Sequence, residues 1–198
     1  FRDPSAWMHI VLALDSTQGT ASNRSKLYVN GTQITDFSTD SGGSQNQDLM
    51  GNTSGKNIYI GGDGGQDARY CGLYIAEVCF IDGQQLTPTS FGEFDSDSPT
   101  IWKPIDVSGL TFGNNGFYLD FEDSSNLGND VSGNASDFTA NNLAATDQSI
   151  DTCTNNYAMN ARSPQITKIA KWSYVSPINY FVGAITLWQQ NNANVEKN

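Results

Sequence analysis

The chain has 198 residues and carries 21 acidic against 10 basic side chains, a net charge of −11. That balance argues against nucleic acid as a partner, since phosphate binding needs clustered Lys and Arg, and acidity for solubility is its simplest meaning. No stretch approaches the ~20 apolar residues of a membrane span, and abundant Gly, Asn and Ser with few helix-favouring runs point to an all-β fold of short strands in stacked sheets.

Trp7 to Asp15 alternates with period two, which places Met8, Ile10, Leu12 and Leu14 on one clearly apolar face and Trp7, His9, Val11, Ala13 and Asp15 on the other. Ser16 to Asn23 has no periodicity and reads as a loop. Lys26 to Val29 is a second strand, closed by Asn30-Gly31, a hairpin turn pair that tolerates positive φ at both positions, with Thr32 to Thr35 as the return strand. Asp36 to Gly55 is a long polar surface loop, where binding residues gather. Asn57 to Ile60 is a short strand ended by a glycine cluster, which lacks the Gly-Lys-Ser/Thr ending of a phosphate loop.

Tyr70 to Ile81 is the longest strand candidate. Strict alternation puts Cys71, Leu73, Ile75, Glu77, Cys79 and Ile81 on one face and Tyr74, Val78 and Phe80 on the other. Both faces are apolar, so either the strand is covered on both sides or a bulge changes its phase. Leu86 to Phe94 holds a helical turn with Thr87 as cap and Pro88 at the first position. Pro99 and Pro104 mark a surface connection, Gly116 to Asp123 is a further strand, and Asp123 to Asn142 is rich in turns. The last part, with Arg162, Lys168, Lys171, Tyr174, Tyr180, Phe181 and Trp188, is basic and aromatic. It reads as a subunit contact with a strand over Phe181 to Trp188, and Gln189 to Asn198 as a disordered tail.

His9, the only histidine, has no Ser or Cys partner in a triad pattern, so the expectation is a structural residue packed near Trp7. Glu77, inside an apolar strand, needs a partner such as Arg69, Arg24 or a backbone turn. Three cysteines, Cys71, Cys79 and Cys153, make neither a disulfide framework nor a zinc site; small core residues in a reducing compartment account for them. Asp63, Asp67, Asp123, Asn126 and Asp130 put oxygen ligands in loops, but without EF-hand spacing, so turn chemistry competes with a metal site. Tyr28, Tyr59, Tyr70 and Trp102 are candidates for stacking on sugar rings, with core packing as the competing role.

Several motifs carry a family resemblance. Trp7-x-His9-Ile10-Val11, then Arg24-x-Lys26-Leu27-Tyr28-Val29-Asn30-Gly31, then Tyr70-Cys71-Gly72-Leu73-Tyr74-Ile75-Ala76-Glu77-Val78, resemble a laminin-G-like, concanavalin A-like domain. Phe80-Ile81-Asp82-Gly83 through Phe91-Gly92-Glu93 resembles its ending, and Gly113 to Phe121 with Asp151 to Asn156 resembles the continuation seen in structural proteins of tailed phages, marine ones especially. The likeness covers residues 1 to 160. It implies a jelly-roll β-sandwich apparently lacking its N-terminal half, with residues 1–98 as the sandwich portion, 99–160 as an associated extension and 161–198 as a C-terminal interaction segment and tail. It further implies a virion component, assembled in the host cytoplasm and exposed externally, in contact with other virion subunits and with host-surface glycans. Such a tail-fibre, appendage or capsid-decoration protein would be no enzyme. Calcium, common in such domains, becomes a candidate ligand of Asp63, Asp67, Asp123 and Asp130. A stand-alone carbohydrate-binding adhesin is the alternative. A glycoside hydrolase is the weaker one: Asp120 and Glu122 have the spacing of the β-glucanase strand and would share a face, but Tyr118 stands where its first Glu belongs.

Overall fold

The structure is a computed structural model and describes residues 6–38, 43–47, 55, 57–62, 72–150, 152–153, 158–162, 165–169 and 182–191. Among these described residues, thirteen strands are joined by turns and short 3-10 segments. They are β1 (Met8–Asp15), β2 (Ser25–Val29), β3 (Thr32–Ile34), β4 (Asn57–Ile60), β5 (Gly72–Asp82), β6 (Gly92–Phe94), β7 (Trp102–Pro104), β8 (Phe117–Leu119), β9 (Thr139–Asn141), β10 (Gln148–Ser149), β11 (Ala158–Arg162), β12 (Gln165–Ile169) and β13 (Val182–Asn191). The all-β expectation holds. An eight-stranded antiparallel sheet runs β10-β11-β5-β13-β1-β2-β3 with β8 also on β5, beside a three-stranded sheet β4-β12-β9 and a two-stranded hairpin β6-β7.

The large sheet carries apolar residues on both faces. On one face Ile75, Val78, Phe80, Phe117, Leu119 and Met159 form a core with Phe121, Leu127 and Phe138, on which the three-stranded sheet lays Ile58, Ile60 and Ala140. On the other, Val11, Cys79, Ile81 and Tyr118 pack under Phe91, Val107 and Phe112 from the connection between β5 and β8. The period of β1 is the expected one, but the better-covered face is the mixed one. His9, Val11 and Ala13 are at most 1% exposed, while Ile10, Leu12 and Leu14 are only half-buried. The polar 86–112 connection folds back and supplies the cover through three isolated large residues.

The long strand β5 resolves the choice the sequence left open. Ala76 pairs with Trp188 and Cys79 with Thr186 on β13, so two residues of β5 face one of β13. Glu77 is the bulged residue, with φ +48°, the left-handed region that costs a non-glycine residue roughly 1–2 kcal/mol. The bulge shifts the phase, which unites Leu73 and Ile75 with Val78 and Phe80 and moves Cys79 and Ile81 to the opposite face. It also marks a change of partner: β11 pairs with residues 72–76 of β5, and β8 takes over at Val78–Phe80.

Three other elements differ from expectation. β13 lies at the centre of the large sheet, between β1 and β5, β12 belongs to the three-stranded sheet, and Gln189–Asn191 are strand, not tail. The strand expected over Gly116–Asp123 shrinks to Phe117–Leu119, because Phe121 takes φ +58°. Pro104 sits in a strand, tolerated because β7 is paired on one side only, by β6. The turn at Pro88–Ser90 forms as expected, although the Thr87 side chain makes no capping bond.

Candidate functional site

Four polar arrangements stand out, and the first is built on β1. The His9 side chain is fully buried. Its Nδ1 accepts the Trp102 indole N–H at 2.9 Å. Because the indole only donates, the imidazole proton sits on Nε2, which donates to Thr186 Oγ1. Burial holds the imidazole pKa down at about 3, so His9 is neutral. The Asn30-Gly31 turn brackets the same residue: Asn30 Oδ1 accepts the His9 backbone N–H at 2.8 Å, and the Asn30 N–H returns to the His9 carbonyl at 2.9 Å. Trp102 lies so close to Gly31 and Gly92 that a Cβ at either would come within 2.4 Å and 2.7 Å of its ring. Phe94 meets the indole edge-on at 4.9 Å between centroids. The ring partner of His9 is Trp102 and not Trp7; Trp7 packs on Ala76 with Tyr74, Trp102 and Cys153.

The second arrangement centres on Glu77, 6% exposed. Tyr118 O–H donates to its Oε1 at 3.3 Å. Burial, with the Glu77 charge adding to it, pushes the Cys79 thiol and the Tyr118 phenol well up, and burial pushes Cys153 up to about 12. The expected partner Arg24 is elsewhere, and Arg69 lies outside the described residues.

Arg24 organises the third. Its Nε, Nη1 and Nη2 donate to the carbonyls of Gln18, Gly43 and Gly19 at 2.7, 2.6 and 2.9 Å. Gln45 Nε2 donates to the Thr17 carbonyl at 2.9 Å, and the Asn46 N–H to that of Ser16 at 2.7 Å. Gln85 Nε2 reaches the Asn23 carbonyl at 3.2 Å. The connections that follow β1, β3 and β5 therefore meet at one end of the large sheet. Thr20, Ser22, Asn23, Ser44, Gln45 and Gln47 stand exposed there. Asp15 closes the base by accepting from Thr17 and Gln18.

The fourth is the turn after β8. Asp130, 8% exposed, accepts from the backbone N–H of Tyr118, Ser132 and Ser136 and from the Ser132 hydroxyl at 2.8–3.0 Å. Both oxygens already serve the chain. Asp123 is exposed and accepts from Ser125 N–H and Oγ–H, and Asn126 Oδ1 accepts from Gly128. Among the described residues no three His, Cys, Asp or Glu side chains gather as a metal site, and Asp63 and Asp67 lie outside them.

The aromatic candidates separate too. Tyr28 is partly buried against the core cluster that includes Val11 and Phe91, Trp102 is held by His9, the Tyr59 hydroxyl accepts from Asn57 Nδ2 at 2.7 Å, and Tyr70 lies outside the described residues. Asp120 and Glu122 do not share a strand face. Phe121, in the left-handed region, turns the chain between them, and Asp120 Oδ1 accepts the Glu122 N–H at 3.1 Å. Sequence reasoning missed Thr186 and the part Arg24 plays in the loops. The only available signal for the latter was an arginine between two loop-forming runs. Family models, curated proteins and solved structures were all compared with the chain, and none matches.

Proposed function

We propose that this chain is a virion structural protein, a tail-fibre, appendage or capsid-decoration component, in which a lectin-like jelly-roll β-sandwich serves as scaffold. The single observation carrying a binding role is the end of the large sheet where Arg24 ties the loops after β1 and β3 together. Three connections converge there, and a fixed cluster of exposed hydroxyl and amide side chains can hydrogen-bond a sugar or a neighbouring subunit. The sandwich reading draws support from the second sheet, whose Ile58, Ile60 and Ala140 share a core with the first. The phage assignment draws on the sequence motifs. Binding rather than hydrolysis is favoured because Phe121 turns Asp120 and Glu122 out of the shared strand face that paired carboxylate chemistry requires.

Immunogold electron microscopy on purified particles tests the assignment. Label on fibres, appendages or capsid surface is the expected result, and particles without the chain would end the virion reading. A glycan array with the full chain, with and without calcium, then compares the native protein with Gln45→Arg and Gln47→Arg. Glycan signal lost in both variants places the site at the loop end, and signal unaffected by them moves it elsewhere.

A further inference from the structure

We infer that the loop end of the large sheet takes an uncharged, hydroxyl-rich ligand, a neutral oligosaccharide, on four half-anchored glutamine amides. This rests on the binding role proposed above and names the ligand class of that site. The ladders fix where the end lies: Asp15 of β1 stands opposite Val182 of β13, and Asp82 of β5 opposite Gly183. The connections after β1, β3 and β5 leave from there, and the glutamines sit on the last two. Gln45 Nε2 donates to the Thr17 carbonyl at 2.9 Å. Gln84 Nε2 donates to the Thr111 carbonyl at 3.3 Å, and Gln85 Nε2 to that of Asn23 at 3.2 Å. Gln47 is held the other way round, its Oε1 accepting the Ser44 N–H at 2.9 Å. Each amide thus gives one half to the backbone. Among the described residues the other half is unmatched, which leaves the Oε1 atoms of Gln45, Gln84 and Gln85 and the Nε2 of Gln47.

A bond at one half of an amide fixes the direction of the other, so these groups are ordered before a ligand arrives. Three acceptors and one donor then set the ligand chemistry. A carboxylate, sulfate or phosphate brings only acceptors and would set oxygen against oxygen at three of the four positions. An ammonium only donates and would leave the Gln47 Nε2 without a match. A hydroxyl both donates and accepts, so a sugar ring with neighbouring hydroxyls serves all four. Thr20 and Ser22, exposed on the loop after β1, add groups of the same dual character. The ionic side chains of this end are used inwardly. Arg24 gives its N–H groups to three carbonyls, Asp15 accepts from Thr17 and Gln18, and Asp82 Oδ2 accepts from the backbone N–H and Nδ2 of Asn115 at 3.2 and 2.9 Å. Asp36, exposed just beyond β3, and the net charge of −11 set the field further against an anionic ligand.

The test is an array of matched glycans probed with the full chain: neutral oligosaccharides, their sialylated and sulfated counterparts, and chitosan oligomers as the cationic set. The neutral members are expected to bind at least tenfold better than either charged set. Gln84→Lys replaces an acceptor by a donor at an exposed position and should lower neutral binding at least tenfold, with the melting temperature unchanged. Gln84→Glu keeps acceptor oxygens but adds charge; it should keep more of the neutral signal than Gln84→Lys does. If either variant melts early, Gln47→Ala, which removes the outward donor, is read in its place and should weaken neutral binding as well. A preference for the sialylated, sulfated or cationic set overturns the ligand class and leaves the binding role standing. Neutral binding untouched by the Gln84 and Gln47 variants overturns the amide site. Silence of the whole array ends the glycan-binding reading itself, and this inference with it.

Discussion

Asn30 and His9 hold each other by two hydrogen bonds, one from each backbone N–H, across the β2–β3 turn and the start of β1. The turn residue therefore does two jobs. Its φ of +48° reverses the chain, and its side-chain oxygen satisfies a strand N–H that the sheet ladder leaves over.

Substitution separates those jobs. Asn30→Gly keeps the backbone conformation and loses only the side-chain acceptor, which should cost about 1 kcal/mol. Asn30→Ala loses the acceptor and also strains the turn, for a total of roughly 2–3 kcal/mol. Urea unfolding of both variants against the parent chain gives the order, and equal losses would mean that the turn carries no strain.

The buried imidazole makes stability depend on pH. His9 has its folded pKa lowered to about 3 from 6.5. Between those values the unfolded chain binds a proton that the folded chain refuses, so its contribution is complete above pH 6.5 and declines as pH falls towards 3. The slope is at most about 1.4 kcal/mol per pH unit. Denaturant melts at pH 7, 6, 5 and 4 should show the decline in the parent chain and a shallower one in His9→Gln.

Thiol labelling reports on the Glu77 neighbourhood. With its pKa pushed up to about 12, Cys153 presents roughly one thiolate in ten thousand at pH 8. Cys79 is fully buried and shifted in the same direction. Iodoacetamide at pH 8 followed by peptide mapping should leave both unmodified in the native chain and alkylate both in urea. Rapid native labelling of Cys153 would show that the site opens.

Asp130 offers the largest single effect. Asp130→Ala leaves the N–H groups of Tyr118, Ser132 and Ser136 without their acceptor, at a cost of roughly 3 kcal/mol or more. Asp130→Asn should be intermediate, since one carboxylate oxygen becomes a donor facing donors. Thermal melts of both variants, with and without calcium, also probe the metal reading. The oxygens are already occupied, so calcium is expected to leave the melting temperature of the parent chain unchanged through this loop.

Much of the strand layout was legible because period two is a local signal. β1, β2 with its Asn-Gly turn, β4 and the strand near Trp188 all lie where alternation puts them. Two things were not local. The bulge at Glu77 was detectable only as a strand apolar on both faces, and its position depends on where β11 yields to β8. The place of β13 depends on pairing across most of the chain, which no window of residues contains. The same limit explains the site residues. Trp102 reads as an aromatic in a polar connection, and only the folded chain brings it to His9, 93 positions away. Asp130 was legible as an oxygen donor in a turn, but its acceptor load comes from three separate backbone positions.

The register of β13, with Gln189 opposite Met8 and Asn191 opposite Leu73, sets an order of events during synthesis. β1 and β5 each have an edge that only β13 fills, so the centre of the large sheet stays vacant until residues 182–191 have left the ribosome. Hairpins such as β1–β2–β3 can form early, but they wait with an open edge and an uncovered apolar side. Closing the sheet is then a single late insertion between strands made long before, which favours slow folding and reliance on chaperones while the nascent chain is exposed.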